Sequence, residues 1–171
     1  NVQRAVARLN APLVRAAYAD RKPYELSDLG LNAWMQRSDD GFDVQVASLG
    51  MNLGKQRWES RLALRQRAAT AQAEESWHVQ ADRLDLTALT PLIDALVPLP
   101  ETAAAVVDGL KVTGGLRNVL LDIRPKASGD QRFSFAANLD KVGFNAYHGA
   151  PAAGNVTGSI SGDLGQGELR L

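Results

Sequence analysis

Few residues in this chain could do chemistry, and each has to be weighed against a plainer role. Gly149 and Gly154 have the G-x-x-x-x-G spacing of a phosphate-binding loop. Such a loop needs a Lys after the second glycine and a Ser or Thr for magnesium, and Asn155 and Val156 stand there instead. It must also open a helix, whose N-terminus helps hold the phosphate. The next residues are Val156-Thr157-Gly158-Ser159-Ile160-Ser161, an alternation that reads as a strand. The stretch is a turn feeding a strand. Asn155-Val156-Thr157 is also a glycosylation triplet, which has meaning only in a glycosylating secretory cell.

The histidines are His78 and His148, and the chain has no cysteine. With no carboxylate at ligand spacing around either histidine, no metal site is expected. His78 falls on the wet side of its strand, where a surface role suits it better than a switching or catalytic one. Lack of cysteine rules out disulfides, zinc–thiolate sites and thiol nucleophiles. Asp39 and Asp40 could be a carboxylate pair, but beside Gly41 they read as a hairpin turn. A glycan hydrolase would need two close carboxylates in a cleft, and no such pair is evident. Arg57, Arg61, Arg65 and Arg67 share one parity with Lys55. A basic stripe can hold lipid phosphates or nucleic acid; it also commonly coats a solvated sheet face and discourages edge pairing. The formal charge is zero, from 19 basic and 19 acidic residues, so nothing global favours nucleic acid. No catalytic centre and no cofactor are expected.

The elements that would carry these residues are mostly strands. Leu29, Leu31, Ala33 and Met35 share one face, against Asn32, Trp34 and Gln36. Phe42, Val44 and Val46 come after the hairpin, against Asp43 and Gln45. Trp58, Ser60, Leu62 and Leu64 oppose Glu59, Arg61 and Arg65. Trp77, Val79 and Ala81 oppose His78, Gln80 and Asp82, and Phe133, Phe135, Ala137 and Leu139 oppose Ser134, Asn138 and Asp140. Period two with one apolar side predicts antiparallel strands, wet on one face. Two short helices interrupt them. Thr90 caps the first, with Pro91 at its first position and Leu89, Leu92, Ile93 and Leu96 on one side. Pro98 and Pro100 stop it. The second runs from Glu101 to Asp108 and ends at Gly109. In the first 20 residues Val2, Val6, Leu9 and Leu13 have helical spacing, yet Pro12 opposes a continuous helix, and strands are preferred.

The 171 residues suffice for one domain with a core. The chain begins at Asn1 without Met or signal peptide and stops at Glu168-Leu169-Arg170-Leu171 as if in mid-strand, so a piece of a longer protein is expected. It contains no run of about 18 apolar residues. At least seven strands with apolar faces outrun what two helices of about two turns can cover. Such a sheet must curl, pack on another sheet, or shelter an apolar ligand.

The stretch Ala81-Asp82-Arg83-Leu84-Asp85-Leu86-Thr87-Ala88-Leu89-Thr90-Pro91-Leu92 carries a resemblance. So do Phe133-Ser134-Phe135-Ala136-Ala137-Asn138-Leu139, Gly149-Ala150-Pro151 and Asn155-Val156-Thr157-Gly158-Ser159-Ile160-Ser161-Gly162. Together they resemble the YhdP family of AsmA-like proteins of Gram-negative bacteria, over roughly residues 24–171. Ala152-Ala153 departs from the glycine expected after the proline, a small change of turn chemistry. The matching motifs are structural, so they identify no active site. The resemblance implies a long periplasmic protein, anchored in the inner membrane by an N-terminal helix outside this segment. It is similar to the bridge-like lipid transfer proteins, and residues 1–171 would be one segment of its elongated β-groove.

The expected fold is mainly β with some α: a strongly twisted, curled antiparallel sheet forming an open apolar groove, with two short helices. The expected function is passive conduction of phospholipid between inner and outer membrane, in support of outer-membrane integrity. A structural or partner-binding envelope module stays open as the alternative. Groove-lining positions would be Leu31, Ala33, Met35, Phe42, Val44, Val46, Trp58, Leu62, Leu64, Trp77, Val79, Phe133, Phe135 and Leu139. No metal and no nucleic acid are expected; the ligand would be phospholipid.

Overall fold

The computed structural model describes residues 3–19, 23–96, 101–149 and 151–171, of which 93–96 and 101–103 are described by their backbone alone. Nine strands run in chain order: β1 Gln3–Ala16, β2 Tyr24–Ser38, β3 Gly41–Leu53, β4 Gln56–Arg67, β5 Ser76–Asp85, β6 Thr113–Ile123, β7 Phe133–Phe144, β8 Ala153–Asp163 and β9 Gly167–Arg170. Helices α1 Leu86–Leu96 and α2 Glu101–Leu110 lie between β5 and β6. Each strand pairs antiparallel with its sequence neighbours, giving one open sheet in the order β1 to β9. Hairpin connections account for this order, each returning the chain beside the strand it left, except between β5 and β6, where the two helices make the connection.

The hairpin at Asp39–Asp40 is present: Ser38 pairs with Gly41, which opens β3 at φ 137°. The two aspartates make the turn, and the glycine adopts the backbone angle that a side chain would oppose. Pro12 lies in β1, an edge strand, where its missing N–H breaks no inner ladder. The preference for strands over helix therefore holds for residues 3–16; Val2 and Asp20 lie outside the described residues.

The first helix differs from expectation. It begins at Leu86, and Asp85 caps it: the Ala88 N–H donates to Asp85 Oδ1 at 2.9 Å. Pro91 lies inside the helix. Thr90 is a helical residue whose hydroxyl donates back to the Leu86 carbonyl at 2.6 Å. Asp85 wins because its carboxylate meets the free N–H groups and positive end of the first turn. Pro98 and Pro100 fall outside the described residues, as do the side chains of Ile93 and Leu96. The second helix runs past Gly109 to Leu110. Lys111, at φ 44°, takes the left-handed position, and its N–H donates to the Val107 carbonyl. Gly109 serves a different need: a Cβ there would clash with the edge of the Tyr147 ring, which packs on the helix.

Strands β4 and β5 pair only between Leu62–Arg67 and Ser76–Ala81. Below that the sheet forks. Asp82 bridges the fork by accepting from the Arg61 N–H at 2.8 Å, the Ser60 hydroxyl at 2.9 Å and Arg61 Nε at 3.0 Å. The Gln56 amide donates to the helix-capping Asp85 at the lower end. Beside this seam α1 packs against β2, β5 and β6. Its Ala88 joins Leu26, Met51, Leu53 and Trp58 in one buried cluster. A second cluster joins Ala81, Val119 and Ala137 across β5, β6 and β7. Among the described residues no large side chain is fully buried. That is the mark of a single sheet with local cover rather than two packed layers.

Candidate functional site

Register shows how strands of differing sequence build one face. Met35, Val44, Leu64, Val79, Leu121 and Phe135 are successive partners from β2 to β7. Ala33, Val46, Leu62, Ala81 and Val119 form a parallel row beside it. Phe42 and Trp77 flank Gln66 in a third, their rings edge to face at 5.6 Å between centroids. Partners across an antiparallel ladder point to the same side, so these rows lie on one face, here called the inner face.

The opposite face alternates charge. Gln36, Asp43, Arg65, His78, Asp122 and Ser134 form one cross-strand row. Arg65 Nε lies 2.6 Å from Asp43 Oδ1, Arg67 Nη2 lies 3.2 Å from Asp43 Oδ2, and His78 Nδ1 contacts Asp122. Arg57 pairs with Glu59 and Arg61 with Asp82, both at 3.0 Å. The basic stripe is thus a solvated face, each of its arginines paired with a carboxylate. Burial pushes the Asp43 carboxyl up, but hydrogen bonds and charge from Arg65 and Arg67 outweigh it and hold the pKa below 3.8. At Asp82, burial is likewise outweighed by hydrogen bonds from Arg61 and Ser60 and by the Arg61 charge, and its pKa is also lowered.

Over β6 to β9 the inner face holds a cavity of about 540 Å³. Phe133, Phe135 and Leu139 line it, together with Val119, Val142 and Ile160, and every other lining residue is apolar too. A second cavity of about 550 Å³ lies at the hairpin end of β2 to β5, where Met35, Phe42 and Trp77 meet Arg37 and Gln66. Leu31, Ala33, Val44, Val46, Leu62, Leu64 and Val79 are half-buried, and Met35 is 39% exposed. Trp58 is only 5% exposed and packs in the cluster under Ala88, a structural place rather than an open one. Its indole N–H has no hydrogen-bond partner among the described residues.

Val119, Leu121, Val142, Val156, Ile160 and Leu169 belong with the expected lining but were not singled out from sequence. Strand β6 conceals its own alternation: it opens on Gly114-Gly115 and carries Asn118 at φ 51°, beside a register shift. A bulge of this kind turns the subsequent side chains onto the other parity. The Val156 and Ile160 strand was legible, but its small neighbours hid the apolar side.

Among the described residues no His, Asp or Glu cluster could hold a metal, and no helix is long and apolar enough to cross a membrane. Gly149, at φ 89°, belongs to the turn before β8, which enters a strand and not a helix. No curated protein and no solved structure matches the chain. The model of the YhdP protein family matches residues 1–171. The chain belongs to the YhdP family.

Proposed function

We propose that the inner face is part of a lipid conduit: it shelters phospholipid tails while their heads stay in water, and the chain serves as one section of a bridge between the inner and outer membranes. One observation supports this above the rest. A large cavity lined wholly by apolar side chains lies on one face of a sheet that, among the described residues, has only local helical cover. Unpaired apolar concavities on a protein surface are places for apolar ligands or partners. Transfer of an acyl chain from water to such a site gains about 0.8 kcal/mol per methylene. Conduction needs this shelter without deep wells, since a tight site would trap its lipid. Interchangeable Leu, Val, Ala and Phe side chains suit it, and no bond has to be broken.

In this account the protein works in the periplasm, joined to the inner membrane by a helix outside the segment. Family membership supports that placement. Phe135→Asp tests the account. Phe135 is half-buried and lines the cavity, so a carboxylate there sets a desolvation barrier across the lipid path while leaving the fold standing. Cells carrying it should show the outer-membrane permeability defect of a null strain at normal protein abundance. Gln80→Asp on the outer face should leave the barrier intact. Full function of the Phe135→Asp protein would contradict the proposal.

A further inference from the structure

On the outer face of β1, β2 and β3 the sheet carries a trough of about 540 Å³. Its floor is a pair of glycines, Gly30 opposite Gly50, where no side chain rises. Arg57 is laid over that floor: a Cβ on Gly50 would come within 2.7 Å of its Nη2. Arg8 and Asn10 of β1, Asn32 of β2 and Ser48 of β3 form the rim. Register sets Arg8 opposite Asn32 and Asn32 opposite Ser48. At a strand spacing of about 4.8 Å these groups lie within roughly 10 Å of one another. Two carboxylates also line the trough, and both are taken: Glu59 by Arg57 and Asp82 by Arg61. Among the described residues the side chains of Arg8, Asn10, Asn32 and Ser48 have no partner. The trough therefore offers an unspent guanidinium beside two unspent amides and a hydroxyl.

We propose that this trough binds a small polyol carrying one anionic group, of the class of glycerol phosphates, sugar phosphates or uronic acids. The guanidinium fork of Arg8 matches the paired oxygens of a phosphate or carboxylate. Amide and hydroxyl side chains both donate and accept, as sugar and glycerol hydroxyls require. The volume falls in the range of small-ligand sites and exceeds what a bare anion fills. The site lies on the face opposite the inner rows, so it stands or falls independently of the lipid conduit.

The test uses the 171-residue chain labelled with nitrogen-15 and tracks the Gly30 and Gly50 amides by NMR at fixed ionic strength. The probes are glycerol 3-phosphate, glucuronate, inorganic phosphate and glycerol. Saturable shifts of both glycines are expected with glycerol 3-phosphate or glucuronate, whichever anionic group the site prefers. Inorganic phosphate and glycerol should bind at least about ten-fold more weakly, the loss of about one good interaction. Arg8→Gln should weaken binding by about ten-fold or more, with the rest of the spectrum unchanged, while Arg4→Gln on the same strand should not. A parallel flotation assay with phosphatidylglycerol vesicles tells a membrane-borne head from a free metabolite. Shifts that never saturate, equal binding of inorganic phosphate, or unaltered binding by the Arg8→Gln chain would each overturn the assignment.

Discussion

Asp82→Ala is the most informative change to the fold, because one carboxylate closes the fork between β4 and β5. Three donors converge on it: the Arg61 N–H at 2.8 Å, the Ser60 hydroxyl at 2.9 Å and Arg61 Nε at 3.0 Å. The guanidinium is 75% exposed and regains water at little cost. The Ser60 hydroxyl can turn to the Arg61 carbonyl, 3.3 Å away, which leaves the Arg61 N–H as the donor that loses its partner. A buried donor left unsatisfied costs about 1–3 kcal/mol. Asp82 is itself 39% exposed, so water partly reaches the gap and the lower half of that range applies. The cost is about 1–2 kcal/mol. In a chain of this size 1 kcal/mol moves the melting point by about 2–4 °C, which gives a fall of about 2–8 °C. Asp82→Asn keeps one acceptor oxygen and should lose about half as much. Ser60→Ala removes a donor without orphaning one and should cost under about 1 kcal/mol. Calorimetry on the three variants and the Ser60→Ala/Asp82→Ala double variant gives the coupling directly. An Asp82→Ala protein melting within about 1 °C of the parent would refute the bridge.

Acid should destabilise the chain through the same residue and through Asp43. Asp43 and Asp82 both have folded pKa values below 3.8, so the stability they lend is whole above about pH 5 and is lost as pH falls through their folded values; urea midpoints across pH 2 to 7 should show this, and Asp43→Asn/Asp82→Asn should flatten it. Trp58→Ala should cost about 3–5 kcal/mol because the ring fills the cluster under Ala88. Trp58→Phe should cost much less, its indole N–H having no partner to lose; urea denaturation separates the two. Gly109→Val should displace the Tyr147 ring and cost about 1–3 kcal/mol, read as loss of hydrogen-exchange protection confined to α2.

Where the sequence alternates cleanly, it foretells the sheet. Trp58 to Leu64 and Phe133 to Leu139 emerge on the faces their parity demands, because one residue of slip would carry a whole apolar set into water. The parts that stayed hidden depend on partners distant in sequence. Strand β6 has its alternation broken by Asn118 at positive φ, which reads locally as a loop. The start of α1 turns on Asp85 reaching the Ala88 N–H, while Pro91 offered the more familiar signal of a helix start. The arginine stripe reads from sequence as a solvated face more readily than as a ligand site, and register supplies the partners that make it one: Asp82 and Asp43 join Glu59 in neutralising it. The outer trough needed register as well, since Gly30 and Gly50 form a floor only when they lie side by side.

The central claim is that lipid occupies the inner face. Photocrosslinking in cells tests it most directly, with a photoreactive residue in place of Leu62 or Phe135 on the inner rows and, as control, Gln80 on the outer face. Gln80 is exposed and holds no side-chain partner among the described residues, so its replacement breaks no side-chain hydrogen bond. The account predicts phospholipid adducts from both inner positions and none from Gln80. Adducts from none of the three, in a protein that is folded and expressed, would contradict it and leave a sheet whose role is to hold other parts in place.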